Sequence, residues 1–227
     1  MDIAGAGGFR SLSFVDASTG WASGDTGHVA LTTDGGASWK LKRKLAGDYL
    51  TDVSALSDDV AWVTGYRAEA GQTRSFVLHT ADGGATWQEY DFPLQSYLYS
   101  GELAFVDGSH GFVIIGGALY ATTDAGKTWQ ATPLAGYAKS FCFLTAEVGW
   151  ALSSSTEPGS SARIIWKTVD AGKTWTESPT PSASHGRVSR LTFVNSLDGY
   201  AVTEFGCLFT TDDGGARGRK PLWTPGG

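Results

Sequence analysis

Four aspartates, Asp34, Asp82, Asp124 and Asp170, stand in nearly the same surroundings. Each closes a Thr-x-Asp and opens onto a glycine-rich pair, a Ser or Thr, and a tryptophan. The octets are Thr32-Thr33-Asp34-Gly35-Gly36-Ala37-Ser38-Trp39, Thr80-Ala81-Asp82-Gly83-Gly84-Ala85-Thr86-Trp87, Thr122-Thr123-Asp124-Ala125-Gly126-Lys127-Thr128-Trp129 and Thr168-Val169-Asp170-Ala171-Gly172-Lys173-Thr174-Trp175. Carboxylates this regular could be read as an acid/base pair. A catalytic group, however, has no need to recur once per repeat. The chemistry that does need such recurrence is local: a carboxylate accepting N–H groups of a tight turn, with Gly supplying positive φ. Trp39, Trp87, Trp129 and Trp175 then read as anchors that bury a large ring, not as a sugar platform. A fifth copy begins Thr210-Thr211-Asp212-Asp213-Gly214-Gly215, with Asp212 read as its central aspartate. It lacks the Thr-Trp ending, so residues 214–227 are expected to be the least ordered, with a poorly paired outer strand.

The remaining reactive side chains form no recognised catalytic pattern. G-x-S-x-G, H-E-x-x-H and a P-loop are absent from the sequence. His28, His79, His110 and His185 are scattered without ligand spacing, and Asp58-Asp59 and Asp212-Asp213 read as turn residues rather than calcium ligands. No catalytic residue, metal or cofactor is assigned. Cys142 and Cys207 lie outside any C-x-x-C and are either one disulfide or two buried thiols. The run Lys40-Leu41-Lys42-Arg43-Lys44 is either a solvated outer strand or a surface for an acidic partner. A net charge of −6 argues against a duplex nucleic acid partner.

These residues must be positioned by a repeated unit. Upstream of the octets runs a second signature: Phe14-Val15-Asp16 with Gly20-Trp21-Ala22, then Ala61-Trp62-Val63, then Phe105-Val106-Asp107 with Gly111-Phe112-Val113. Phe143-Leu144 with Gly149-Trp150-Ala151 and Phe193-Val194-Asn195 with Gly199-Tyr200-Ala201 complete it. The central aspartates recur at intervals of 42 to 48 residues. Each unit reads as four short strands, the size of one propeller blade. Composition agrees: 31 Gly among 227 residues is twice the usual share of ~7%, and nine Trp, eight Tyr and eleven Phe exclude a disordered chain. The fold class expected is an all-β propeller of five four-stranded blades, at about 9–45, 46–92, 93–135, 136–180 and 181–227, in one domain over 1–227. It is either a closed ring or an arc of a larger one. No run reaches the ~18 apolar residues of a membrane span, and the first residues lack a basic n-region and an apolar core. The chain as given reads as soluble, and as a mature or excised piece of an exported protein.

The octet resembles the Asp-box, or BNR repeat, of sialidases, sortilin-type receptors and proteins like the photosystem II stability/assembly factor. Gly-Trp-Ala paired with Thr-x-Asp-Gly-Gly-x-Thr-Trp is most similar to the last family, over residues 9–215. The resemblance implies a propeller, usually of seven blades where five are counted here. It also implies an extracytoplasmic setting, periplasmic or secreted. A sialidase needs an arginine triad, a Tyr/Glu nucleophile pair and an Asp acid. That family's opening Arg-Ile-Pro is only echoed by Gly8-Phe9-Arg10-Ser11-Leu12.

Recognition is expected on the face opposite the Asp-boxes, built from the loops after the second and fourth strands. These carry Asp48, Tyr49, Tyr66, Arg67, Arg74, Tyr90, Tyr97, Tyr99, Tyr137, Lys139, His185, Arg187 and Arg190. Tyr and Arg are enriched at interface hot spots. Tyr66, Arg67, Arg74, Tyr99, Lys139, Arg187 and Arg190 are the binding candidates, with the arginines pairing carboxylates. The expected function is a non-enzymatic scaffold for a protein or peptide segment. The alternative is a glycan-binding or glycoside-hydrolysing, sialidase-like domain, whose two carboxylates would stand roughly 5–10 Å apart.

Overall fold

The structure, a computed structural model, describes residues 8–69, 72–95, 100–180, 183–217 and 221–223. Among them the regular structure is twenty β-strands and one short 3-10 turn at Ala183–His185. The first sheet contains β1 (Phe9–Phe14), β2 (Gly20–Gly24), β3 (His28–Thr32) and β4 (Lys40–Lys44). The second contains β5 (Asp48–Ala55), β6 (Ala61–Glu69), β7 (Gln72–Thr80) and β8 (Gln88–Gln95). The third contains β9 (Ser100–Phe105), β10 (Gly111–Ile115), β11 (Ala118–Thr122) and β12 (Gln130–Ala131). The fourth contains β13 (Ala138–Phe143), β14 (Gly149–Ser154), β15 (Arg163–Thr168) and β16 (Thr176–Ser178). The fifth contains β17 (Val188–Phe193), β18 (Asp198–Thr203), β19 (Leu208–Asp212) and β20 (Pro221–Trp223). In every sheet the strands neighbour one another in chain order. Five such sheets are the blades of an all-β propeller.

The chain divides into two compact units, one reaching to Gly116 and including Thr122–Gln130, the other made of Gly117–Ala121 and the chain from Ala131 onward. The core of the first is built on Trp21, Val29, Leu50, Val63, Phe76 and Leu78. That of the second is built on Trp150, Leu152, Val188, Leu191, Phe193 and Phe209. Cys142 and Cys207 are free thiols. The Cys142 sulfur accepts the amide of Phe193 at 3.4 Å. Ser13 does the same for Ala55, and Ser54 for Phe105. A serine or cysteine on the inner strand of one blade thus satisfies an inner-strand amide of the next, which a buried N–H requires.

Two turns lock the same end of each blade. After the first strand, a short polar side chain caps two amides: Asp16 those of Ser18 and Thr19, Asp107 those of Ser109 and His110. Asn195 caps those of Leu197 and Asp198. The octet turn then donates an amide to that first turn, from Gly35 to the Ser18 carbonyl and from Ala171 to that of Glu147. At the centre of the octet stand two consecutive residues of positive φ, which suit Gly. In the third and fourth blades the first of the two is Ala125 (φ 63°) or Ala171 (φ 64°).

The fifth blade keeps this frame. Its outer strand pairs over three residues, with a register break between Leu208 and Phe209. The difference from the sequence reading is its central aspartate, which is Asp213 and not Asp212. Thr211 Oγ1 donates to Asp213 Oδ1 at 2.7 Å, and Gly215 N donates to Thr211 Oγ1 at 3.0 Å. Asp212 closes β19 opposite Asp198. The doubled aspartate hid a one-residue choice of frame that only the hydrogen bonds resolve. The part of the disorder expectation that concerns 218–220 and 224–227 lies outside the described residues.

Candidate binding surface

Each octet is a closed hydrogen-bond circuit. In the second blade, Thr80 Oγ1 donates to Asp82 Oδ1 at 2.9 Å and accepts the Gly84 amide at 2.9 Å. Thr86 gives its amide to Oδ1 at 2.8 Å and its hydroxyl to Oδ2 at 2.6 Å. The donors favour the charged carboxylate and hold Asp34, Asp82 and Asp170 at about 2, the Ser38, Thr86 and Thr174 hydroxyls contributing most. Asp124 is lowered in the same way, by Thr128 first. With both oxygens engaged, these groups are turn braces, poorly placed for proton transfer. Among the described residues no group of three or more His, Cys, Asp or Glu is placed to hold a metal ion.

The tryptophans of the Gly-Trp-Ala signature are more deeply used than those of the octet. Trp21, Trp62 and Trp150 are fully buried. Trp62 stacks on Phe105 with centroids 3.8 Å apart and donates Nε1 to the Ala125 carbonyl at 2.9 Å. Trp150 does the same with Phe193 and Gly214. Sequence reasoning found this signature but assigned the anchoring to the octet tryptophans. The cue available was that in four of the five blades a Gly before the aromatic lets the Phe of the preceding strand lie against it. A Cβ at Gly149 would stand 2.4 Å from Phe143.

The predicted recognition residues separate into two groups. In the first unit, Tyr66, Arg67 and Arg74 lie on strands β6 and β7 rather than in loops. Tyr66 stacks on Tyr49, centroids 5.3 Å apart and planes 11° apart. Asp48, 2% exposed, receives Arg43 at 2.9 Å and Arg67 at 2.9 Å. Arg67 also reaches Glu89 at 2.6 Å, and its guanidinium lies over the Phe76 ring at 4.4 Å. Arg74 pairs with Asp91, Glu69 and Glu89. The arginines expected to seize a partner's carboxylates are thus engaged by the protein's own. The basic run follows the same pattern: Arg43 serves Asp48, and Lys42 packs on Gly84, where a Cβ would stand 2.8 Å from the lysine Cβ. Tyr97 and Tyr99 lie outside the described residues.

In the second unit, Tyr137 and Lys139 precede and open β13, at the end away from the octet turns. The Tyr137 ring lies on Gly117, where a Cβ would be 2.2 Å from it. Its amide donates to Ser154 Oγ at 3.0 Å, so the loop is tied down while the ring is half exposed. Lys139 is the extra residue of a β-bulge between Ala138 and Ser140, which turns its side chain outward. Its ammonium lies 4.2 Å from the Tyr137 ring centroid. In the next blade, Phe205 is 66% exposed and rests on Gly186. Arg187 beside it pairs with Glu204 at 2.9 Å, and the Glu204 amide donates to the Arg187 carbonyl. His185 packs edge-on against Phe209. Arg190 is not at the loop end. It pairs with Val202 within β17, the place that Ser11 takes opposite Ser23 in the first blade. The surface these elements offer is two exposed aromatic rings with a cation beside each. Phe205 was missed by sequence reasoning because a lone exposed Phe carries no motif.

A family model described as Photosynthesis system II assembly factor YCF48 matches residues 7–136 and, again, 85–219. No curated protein matches the sequence. Among solved structures, one described as "YCF48 bound to D1 peptide" is similar with a TM-score of 0.69 and 20% identity, covering 94% of this chain and 66% of that one. The GH74 enzyme of Niastella koreensis is similar with a TM-score of 0.64 and 15% identity, covering 90% of this chain and 36% of that one. The GH74 xyloglucanase of Xanthomonas campestris is similar with a TM-score of 0.54 and 16% identity, covering 98% and 46%. The chain therefore spans less than two thirds of each of these structures, and at such identities the likeness concerns the fold.

Proposed function

The chain belongs to the Photosynthesis system II assembly factor YCF48 family, and from that premise we propose that it is a non-enzymatic scaffold that docks a protein or peptide segment on the loop ends of its blades. The observation that carries this reading is the pair of exposed rings, Tyr137 and Phe205, each held on a glycine floor with a cation beside it. Rigid aromatic and cationic side chains bind at low entropic cost, because little is left to order on docking. A peptide is the ligand class supported by the solved YCF48 structure with its bound D1 peptide. Lys139 favours a segment that carries a carboxylate, and Arg187, paired with Glu204 through Nε yet 42% exposed, can share its guanidinium with one. Arg67 and Arg74 support the frame, and the stacked Tyr49–Tyr66 pair offers a second aromatic contact in the first unit. The setting we propose is extracytoplasmic.

Glycoside hydrolysis is the weaker reading. A general acid needs a raised pKa, whereas Asp16, Asp34, Asp82, Asp107, Asp124, Asp170 and Asp213 are shifted down by turn donors. The carboxylates Asp48, Glu89, Asp91 and Glu204 are held in ion pairs with arginine. Incubating the protein with xyloglucan oligosaccharides and, separately, with a fluorescent acidic peptide divides the readings. Saturable peptide binding with intact oligosaccharides supports the scaffold, and released sugar ends sink it.

A further inference from the structure

In three blades the octet tryptophan stands edge-on to the Phe that ends the first strand. Trp39 meets Phe14 with centroids 6.1 Å apart, Trp129 meets Phe105 at 6.0 Å, and Trp175 meets Phe143 at 6.1 Å. The second glycine of the turn backs each ring. A Cβ at Gly126 or Gly172 would stand 3.4 or 3.2 Å from the indole. The fifth blade keeps the phenylalanine, Phe193, and the second glycine, Gly215. Five residues after Asp213, where its siblings carry Trp, the sequence has Gly218. A solvent-open cleft occupies the place, lined among the described residues by Ile165, Leu191, Phe193, Phe209, Gly215 and Arg217. Among the described residues, a Cβ at Gly215 would meet only Ser178 within 4 Å.

The backbone of Trp223, the one tryptophan after the fifth turn, does not hold the anchor's place in the strand register. Trp223 pairs with Leu208. Leu208 stands five residues before Asp213, as Ile165 does before Asp170, and Ile165 pairs with Ser178, three residues beyond the anchor Trp175. The mouth is polar. Asp213 Oδ2 is buried, and no hydroxyl donates to it, because Arg217 stands where the other octets have Ser or Thr. Arg217 Nε lies 3.4 Å from that oxygen.

We propose that this tryptophan socket of the fifth blade binds an aromatic side chain, an indole above all, presented by another polypeptide. The fold has shaped the site for an indole four times in the same chain, and an apolar pocket is occupied by an apolar ring in preference to water. The ring would stand edge-on to Phe193, whose face is covered by Trp150, as Trp39, Trp129 and Trp175 stand to their own phenylalanines. The site lies at the octet end of the blade, so it does not depend on the loop-end reading.

The test is titration of the whole chain with indole and with N-acetyltryptophanamide, followed by NMR of the Ile165, Leu191 and Phe193 signals. Both probes are expected to give saturable shifts and NOEs to Phe193 in the wild type. Gly218→Trp, which restores the octet, is expected to weaken binding by roughly tenfold or more. Lys40→Glu, an exposed change in the first blade, should leave it unchanged. Absence of saturable shifts in the wild type overturns the proposal. So does binding that appears only in Trp223→Ala, which would mean that the chain fills its own socket. Binding of indole without the amide overturns the polypeptide origin. The NOEs decide the matter in the wild type should the Gly218→Trp protein fail to fold.

Discussion

The indole of Trp150 lies flat on the ring of Phe193, their centroids 3.6 Å apart and their planes 6° apart, across the joint between the fourth and fifth blades. The same indole donates its N–H to the Gly214 carbonyl, 64 residues away, at 3.1 Å. One side chain therefore joins the inner strand and the octet turn of the next blade. Trp150→Ala should cost about 3–5 kcal/mol in chemical denaturation, as large aromatic truncations in cores do. Trp150→Phe, which keeps a ring but loses the donor, should cost less, about 1–3 kcal/mol. Equal losses for the two would mean that the stack contributes nothing.

The octet aspartates set an acid limb for stability. Their folded pKa of about 2 for Asp34, Asp82 and Asp170 lies below the ordinary 3.8. The unfolded chain therefore binds protons first as pH falls. The stabilisation is fully present above about pH 4 and is lost as pH drops toward 2. Melting temperature should fall through that window. Asp82→Asn should start from a lower value at neutral pH and show a shallower fall. A variant with an unchanged acid limb would contradict the circuit.

Ala125 and Ala171 hold positive φ where the first, second and fifth octets have Gly. A left-handed L-residue costs roughly 1–2 kcal/mol, against roughly 0.5–1 kcal/mol of added chain entropy for Gly. Ala171→Gly should therefore stabilise by up to about 1 kcal/mol, read as a higher denaturation midpoint at unchanged m-value. A lower midpoint would show that the turn relaxes the strain elsewhere.

Cys142 acts as a serine would, accepting the Phe193 amide. Cys142→Ser should change stability by no more than about 1 kcal/mol, and reductant should leave the melting temperature of the wild type where it is. A drop on reduction would reveal a disulfide.

The frame was legible because its residues have short-range causes. Asp34 with Gly35 and Gly36 dictates a turn from five positions, and Gly149 before Trp150 dictates the close Phe143 ring. The fifth octet was misread by one place because Asp212-Asp213 offers two frames of equal local quality. The recognition residues were harder because their neighbours come from other strands. Nothing near Arg67 in sequence announces Asp48 or Glu89, and nothing near Phe205 announces Gly186. Arg190 looked like a loop residue because the start of β17 is set by the pairing of Val188 with Thr203 on another strand.

The central claim is that the loop ends of the fourth and fifth blades dock a carboxylate-bearing segment through Lys139 and Arg187. The measurement is fluorescence-anisotropy titration of a short acidic peptide at low and at physiological salt, with wild type, Lys139→Glu with Arg187→Glu, and Lys40→Glu as an exposed basic control. The account predicts saturable binding that weakens with salt, since exposed charges are screened within roughly 8–10 Å. The Lys139/Arg187 variant should bind more weakly and with less salt dependence, and the Lys40 variant should bind as wild type does. Loss of binding in the Lys40 variant alone, with Lys139/Arg187 charge reversal harmless, would contradict the account and move the recognition surface to the outer strand of the first blade.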